Sequence, residues 1–149
     1  MVPKFRAWDK ESQQMCNVGA LYFSRDYELE AVSVHLHSGF VTNRNLGDCI
    51  LMQSTGLKDK NGVEIYEGDI LLHTSSSINY GDTYWHSYVQ VYRMNSGAYR
   101  IKGKHIYDTD LMSARNRIEV VGNIYQNQYF LDKEYFSTSD GIVERADKQ

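Results

Sequence analysis

The chain has little proline, little cysteine and no long apolar run. Pro3 is the single proline among 149 residues, which excludes a proline-rich linker. Cys16 and Cys49 are the two cysteines and form no Cys-x-x-Cys pair. This spacing favours two small buried apolar side chains over a disulfide, a metal site or a nucleophile. Because a membrane helix needs roughly 20 consecutive apolar residues, we expect no membrane association.

The chain also lacks an excess of basic residues. It has 16 lysines and arginines against 19 aspartates and glutamates, a net charge of -3, and both signs are spread along its length. Proteins bind nucleic acid through clustered cations that displace the counterions of the phosphates. We therefore expect any binding of DNA or RNA to be weak and to be lost near physiological salt. The first residues lack the apolar stretch of a signal peptide, so we expect a cytoplasmic protein.

The stretch over residues 51–72 organises the rest of the chain, because it carries two turn signals between apolar segments. Asn61 and Gly62 both tolerate the positive φ that a tight reversing turn requires. At the second signal, Gly68 permits a bend and the Asp69 carboxylate can accept backbone N–H groups nearby. The alternative roles of Asp69 are an acid and a metal ligand. The local bonding argument favours a structural turn.

Short segments of alternating apolar and polar residues recur along the chain and predict β-strands separated by turns. Residues 5–23 predict an N-terminal hairpin, residues 88–102 predict a second hairpin, and residues 118–125 predict the last strand. Gly122 within that strand indicates a bulge or a close backbone approach. A short helix is expected over residues 108–116. The predicted fold class is mainly β with minor α.

Two histidines have the spacing of metal ligands but lack companions. His35 and His37 alternate onto one face of a strand predicted over residues 32–36. A zinc site needs a third and usually a fourth ligand, and no nearby Cys, Asp or Glu cluster supplies them. We therefore expect exposed strand histidines, no stoichiometric zinc and no cofactor.

The best candidate for a binding site is an aromatic-rich stretch, which we predict to be a long loop after a strand at residues 70–73. Rigid aromatic side chains bury a large area at low entropic cost, and Ser and Asn residues between them bond adaptably. An equally supported alternative is that these aromatics only cover the sheet or pair across strands. The candidate binding residues are Tyr80, Tyr84, Trp85, His86 and Tyr88.

Four segments resemble the YopX family of phage and prophage proteins. They occur in the family's order and are spread over most of the chain: residues 4–9 (KFRAWD), 52–62 (MQSTGLKDKNG), 64–70 (EIYEGDI) and 120–127 (VVGNIYQN). Ser54 departs from the family pattern, which often has an aromatic there. The resemblance implies a phage-associated protein of unassigned biochemical role, with no catalytic residues to transfer.

The length and the strand pattern together predict one compact domain over residues 1–136, followed by a mobile polar tail over residues 137–149. Within the domain we expect an N-terminal hairpin lobe over about residues 1–66 and a second lobe over about residues 67–136. Four or five short strands separated by turns predict that the second lobe is an SH3-like small β-barrel. The YopX resemblance implies the same fold.

Two functions remain open. The favoured one is a non-enzymatic phage or prophage accessory protein that forms a homo-oligomer and binds a host or phage macromolecule, with a protein as the expected partner. Strand edges and aromatic surface, which association covers, are the basis of the expected homo-oligomer. The alternative is an enzyme or a nucleic-acid-processing factor. The sequence disfavours it because there is no nucleophile elbow, paired-carboxylate motif, glycine-rich phosphate loop or zinc spacing.

Overall fold

The computed structural model describes residues 3–76 and 81–145, and its strands form two antiparallel sheets. The predicted mainly-β class is confirmed. The chain divides into two compact units between Ser54 and Thr55, whereas the sequence placed the boundary between lobes at about residue 66. No helix in the described part of the chain is long and apolar enough to cross a membrane.

The first unit contributes to a six-stranded antiparallel sheet in the order β4-β3-β2-β1-β5-β6. Its β1–β2 hairpin confirms the N-terminal hairpin predicted from residues 5–23. β4 pairs with β3 over residues 41–45, and a 3-10 turn, Leu46–Asp48, follows. The strands are β1 (Phe5–Asp9), β2 (Gln14–Phe23), β3 (Leu29–His35), β4 (Val41–Asn45) and β5 (Cys49–Lys58), the last of which continues into the second unit.

The core of the first unit contains a buried ion pair beside its apolar side chains. Asp9 is fully buried, and the Arg44 guanidinium donates to its carboxylate from Nε at 2.8 Å and from Nη2 at 3.3 Å. The Ser12 backbone N–H also donates to this carboxylate, at 3.2 Å. These bonds, that of Arg44 above all, lower the pKa of Asp9. The apolar residues are Ala7, Cys16, Val32, Val34 and Cys49.

Both cysteines belong to this core. Cys16 and Cys49 are buried free thiols, which confirms the expectation of small buried side chains. Burial raises the pKa of each thiol, and the negative charge of Asp9 raises it further. A protonated, inaccessible thiol is a poor nucleophile and a poor metal ligand.

The second unit is organised around β8, which pairs with β7 along one edge and with β9 and β12 in turn along the other. β7 also pairs with β11, and β13 pairs with β12. The strands are β6 (Glu64–Tyr66), β7 (Asp69–Ser76), β8 (Tyr84–Arg93), β9 (Tyr99–Lys102), β10 (Thr109–Asp110), β11 (Ile118–Asn123), β12 (Glu134–Thr138) and β13 (Gly141–Arg145). The helical segments are α1 (Leu111–Ala114) and the 3-10 turns Arg115–Arg117 and Gln128–Asp132.

The series β11-β7-β8-β9-β10 does not close into a barrel, because its two end strands, β10 and β11, do not pair within the described residues. The SH3-like barrel therefore stays a prediction. The predicted hairpin over residues 88–102 is confirmed by β8 and β9. The bulge expected at Gly122 is also confirmed, since the β11–β7 register shifts between Val120 and Gly122.

The predicted turn at Asn61 and Gly62 is held by a residue that the sequence did not single out. Gly62 has a φ of +83°, as a tight turn requires. The buried Asp59 carboxylate accepts the backbone N–H groups of Asn61 at 2.8 Å and Val63 at 2.9 Å through Oδ1. Its Oδ2 accepts the N–H of Val120 at 2.9 Å. Asp59 thus ties the turn to β11.

The C-terminal segment differs from the expected polar tail. The chain continues after the predicted last strand as β12 and β13, which pair across a turn at residues 139–140. Gly141 adopts a φ of +134° at the start of β13. The polar composition of residues 137–149 hid this hairpin, because serine and aspartate can form its turn as well as an unstructured tail. Mobility of the segment stays a prediction.

Candidate binding surface

From Tyr84 onward, the aromatic-rich segment is a strand and not the predicted loop. β7 extends to Ser76, and β8 begins at Tyr84 and pairs on both edges, with β7 and with β12. The serine, asparagine and glycine residues before Tyr84 suggested a longer loop. Pairing with β7 and β12 instead extends β8 back to Tyr84. Tyr80 lies outside the described residues.

The strand separates the four remaining candidates onto two faces. Side chains alternate along a strand, so Tyr84, His86 and Tyr88 share one face and Trp85 lies on the other. Tyr84 is 46% exposed. The first face is therefore the only one on which three of the predicted binding residues come together.

His86 is held from both neighbouring strands. Its Nδ1 is hydrogen-bonded to Thr74 Oγ1 on β7 at 2.8 Å, and its Nε2 to Ser137 Oγ on β12 at 2.6 Å. The ring also stacks on Tyr135, with 4.4 Å between centroids and 18° between planes. Hydrogen bonds at both nitrogens and a stacked neighbour leave the imidazole one orientation on the sheet.

The charge state of His86 follows from its surroundings. Partial burial lowers its pKa from the ordinary value of 6.5, and the positive charge of Lys60 lowers it further. The imidazole is therefore neutral at pH 7. His86 therefore contributes an uncharged ring to a surface of aromatic rings and hydrogen-bonding groups.

A second stacked pair continues the same face. Tyr88 stacks on Phe130 with 5.0 Å between centroids and 8° between planes. The centroids of the Phe130 and Tyr129 rings lie 4.7 Å apart. Lys133 Nζ lies 5.6 Å from the Tyr129 ring centre. We define the aromatic face as Tyr84, His86, Tyr88, Tyr129, Phe130 and Tyr135. The sequence did not indicate that Tyr135 pairs with His86.

On the opposite face of β8, Trp85 packs against neighbouring side chains. The Trp85 ring stacks on Phe136 with 6.5 Å between centroids, and its Nε1 donates to Glu134 Oε2 at 3.0 Å. His105 Nδ1 lies 3.4 Å from the same oxygen. A satisfied indole N–H between partly buried neighbours is typical of a structural tryptophan. Trp85 thus fits the covering role that the sequence left open.

Gly68 lies in the second turn, between β6 and β7, and Asp69 is the first residue of β7. Gly68 has a φ of +86°, and its N–H donates to the Val91 carbonyl at 2.9 Å. Asp69 is 1% exposed, and its Oδ2 accepts the Tyr66 N–H at 2.8 Å. This is the local bond on which a structural role for Asp69 depends.

His35 is the last residue of β3, whereas His37 lies in the turn after it, so the prediction of two histidines on one strand face is wrong for His37. His37 Nε2 lies 3.0 Å from the Met15 carbonyl oxygen, and the His35 ring packs over Gly19, which leaves no room there for a Cβ. No group of three His, Cys, Asp or Glu side chains within residues 3–76 and 81–145 is placed to hold a metal. The absence of zinc in the purified protein stays a prediction.

Comparison with known proteins decides the family. The family model described as YopX protein matches residues 4–132, which is most of the chain. This chain belongs to the YopX family. The YopX chain is also similar to the crystal structure of protein EF1440 from Enterococcus faecalis, with a TM-score of 0.61 and 28% identity over 88% of this chain and 99% of that one. No curated protein matches it.

The YopX match includes part of the aromatic face. It covers Tyr84, His86 and Tyr88 on β8, and it ends at Asp132, before β12 begins. Tyr135, which stacks on His86, therefore lies beyond the matched residues. The contacts that fix His86 from β12 belong to this chain's own C-terminal hairpin.

Proposed function

We propose that this YopX chain is a non-enzymatic phage or prophage accessory protein that self-associates and binds a host or phage protein through the aromatic face. The observation that carries the proposal is the fixed His86 ring, bonded at both nitrogens and stacked on Tyr135. Rings that are already immobilised lose little conformational entropy on binding, so less of the favourable contact energy is offset by that loss.

The charges of the surface support a protein partner over nucleic acid. His86 is neutral at pH 7 and the chain carries a net charge of -3, which gives phosphates no general attraction. Tyrosine side chains at 46% and 56% exposure, Tyr84 and Tyr129, are typical anchors of protein interfaces. The protein acts in the cytoplasm of the host cell. The proposal retains an SH3-like barrel for the second unit, supported by the pairing of β7 with β11.

The experiment is affinity capture of partners from host lysate, with and without phage infection, followed by mass spectrometry. Tyr84→Ala and Tyr135→Ala should each reduce capture of a specific protein at least about tenfold, the loss typical of a central interface aromatic. Tyr107→Ala is the matched control, because Tyr107 is 95% exposed and lies outside the aromatic face. Circular dichroism checks that all three variants fold. Equal capture by all three would contradict the proposal.

A second candidate function is favoured by one specific distance. Ser137 Oγ lies 2.6 Å from His86 Nε2, which is the relation between a nucleophile and its general base in serine hydrolases. His86 Nδ1 faces the Thr74 hydroxyl and no carboxylate, so an imidazolium would lack the stabilisation of a full triad. Labelling by a fluorophosphonate that is lost in Ser137→Ala and kept in Ser139→Ala would favour this candidate over the binding module.

A further inference from the structure

The strand β4 is an open edge of the first sheet. It ends the order β4-β3-β2-β1-β5-β6, and no strand in the described part of the chain pairs with its outer side. An edge strand presents N–H and C=O groups that another strand can pair with. The β11 edge, by contrast, is occupied, since Lys60 N–H donates to the Ile118 carbonyl at 3.2 Å and Val120 N–H donates to Asp59.

The register of the β3–β4 hairpin fixes which groups face outward. Leu36 N–H donates to the Phe40 carbonyl at 2.8 Å, so this pair is hydrogen-bonded, and pairs alternate along an antiparallel ladder. The N–H and C=O groups of Val41, Asn43 and Asn45 therefore point away from β3. Asn45 is also the N-cap of the 3-10 turn Leu46–Asp48, and its carbonyl accepts the Cys49 thiol at 3.6 Å, so at this end of the strand the outward N–H is the group left for pairing.

The edge carries no free charge that would repel another strand. Arg44 is the only charged residue of β4, and its guanidinium is bonded to the buried Asp9 and lies 3.3 Å from Glu11. Strand edges are often protected by exposed lysines or by unpaired inward charges. β4 has neither kind of protection.

The side chains around β4 leave apolar surface in solvent. Phe40 is 75% exposed, Val41 is 54% exposed and Leu46 is 38% exposed. Phe40 and Leu46 flank the strand at its two ends. A twofold antiparallel arrangement centred on Asn43 would bring Phe40 of one copy beside Leu46 of the other.

We infer that two copies of this chain pair through β4, antiparallel about a twofold axis at Asn43. Val41 of each copy forms a hydrogen-bonded pair with Asn45 of the other, and Asn43 pairs with its own equivalent. The first sheets of two copies then join into one, with identical surfaces in contact, as in most homodimers. The inference rests on the self-association in the proposed function and is independent of the aromatic face.

A charge-pair experiment tests the axis directly, because position 43 would face itself. Sedimentation velocity of the wild type at micromolar concentration should show a species of twice 17.3 kDa. Asn43→Asp and Asn43→Lys each place like charges opposite one another and should weaken association at least about tenfold. An equimolar mixture of the two variants should restore the dimer. A monomeric wild type, variants that still dimerise, or a mixture that stays monomeric would overturn the inference.

A backbone test separates the strand edge from the asparagine side chain. Asn43→Pro removes the outward N–H at the axis and should abolish the dimer, whereas Asn43→Ala keeps that N–H and should retain it. Circular dichroism confirms that each variant folds. A dimer in Asn43→Pro would overturn the pairing. A monomeric Asn43→Pro that still captures the protein partner of the aromatic face would support the pairing and show that the two parts of the proposed function are separable.

Discussion

At the scale of single residues, the buried ion pair between Asp9 and Arg44 should make the largest electrostatic contribution to the first unit. Asp9→Asn leaves the guanidinium, 15% exposed, without its buried charged partner, and such a loss costs about 3–5 kcal/mol of unfolding free energy. Urea unfolding measures it. Glu11→Gln is the control, because Glu11 is 73% exposed and exposed pairs contribute about 0–1 kcal/mol. Equal losses in the two variants would show that burial does not govern this pair.

His73 should make stability depend on pH. It is 8% exposed, and burial lowers its pKa, followed by the positive charge of Arg117. Because the unfolded chain binds the proton more tightly, stability should fall as pH decreases through 6.5. His73→Gln should flatten the dependence of melting temperature on pH between about 7.5 and 5.5. Arg117→Gln should flatten it less, since burial is the larger cause, and a slope unchanged in His73→Gln would contradict this assignment.

Residue types with one strong local preference were the predictable ones. Gly62 and Gly122 were placed correctly, because positive φ and a bulge are properties that glycine favours wherever the chain puts it. Asp59 and Arg44 were missed. Their importance comes from partners far away in the sequence, such as Val120 and Asp9, and nothing near them in the chain indicates such contacts.

At the scale of structural elements, the turn at residues 59–63 should depend on backbone conformation at Gly62. Nothing lies within 4 Å of a Cβ added there, so the cost of a side chain is conformational and not steric crowding. Gly62→Val should lose about 1–3 kcal/mol of unfolding free energy and melt several degrees lower. Gly62→Asn is the matched control, because asparagine tolerates the same φ, and it should lose less. Equal melting temperatures for the two variants would contradict the claim that positive φ at Gly62 is what a valine cannot adopt without strain.

The same turn should depend even more on Asp59. Asp59→Ala leaves the N–H groups of Asn61, Val63 and Val120 without their acceptor, at about 1–3 kcal/mol for each group that stays buried. Thermal unfolding should therefore show a larger loss than Gly62→Val. Asp59→Asn retains one acceptor oxygen and should lie between the wild type and Asp59→Ala. A loss in Asp59→Ala no greater than that in Gly62→Val would contradict the role assigned to the carboxylate.

Elements with apolar alternation were predicted, and polar ones were not. Both hairpins with apolar faces were found, whereas β4 consists of Val-Thr-Asn-Arg-Asn and its pairing depends on β3 and on the Asp9 ion pair. The first half of β8 was taken for a loop for a similar reason. Its aromatic residues pair with β12, about 50 residues later in the chain, and sequence periodicity cannot show such a partner.

At the scale of the whole molecule, the two units supply separate surfaces that can be tested separately. The first unit offers the open β4 edge, and the second offers the aromatic face on β8 and β12. Family membership was predictable from four motifs, because these encode turns and strand entries. The aromatic face was predictable only in part, since the YopX match ends before Tyr135 and Ser137.

The most direct test of the central claim, that the aromatic face binds a protein, is hydrogen exchange of this chain alone and in complex with the protein that it captures. Amide exchange should slow in residues 84–88 and 134–138, and the same segments should lose that protection when Tyr84→Ala is used. Protection confined to other segments, with residues 84–88 and 134–138 exchanging as in the free chain, would contradict the claim.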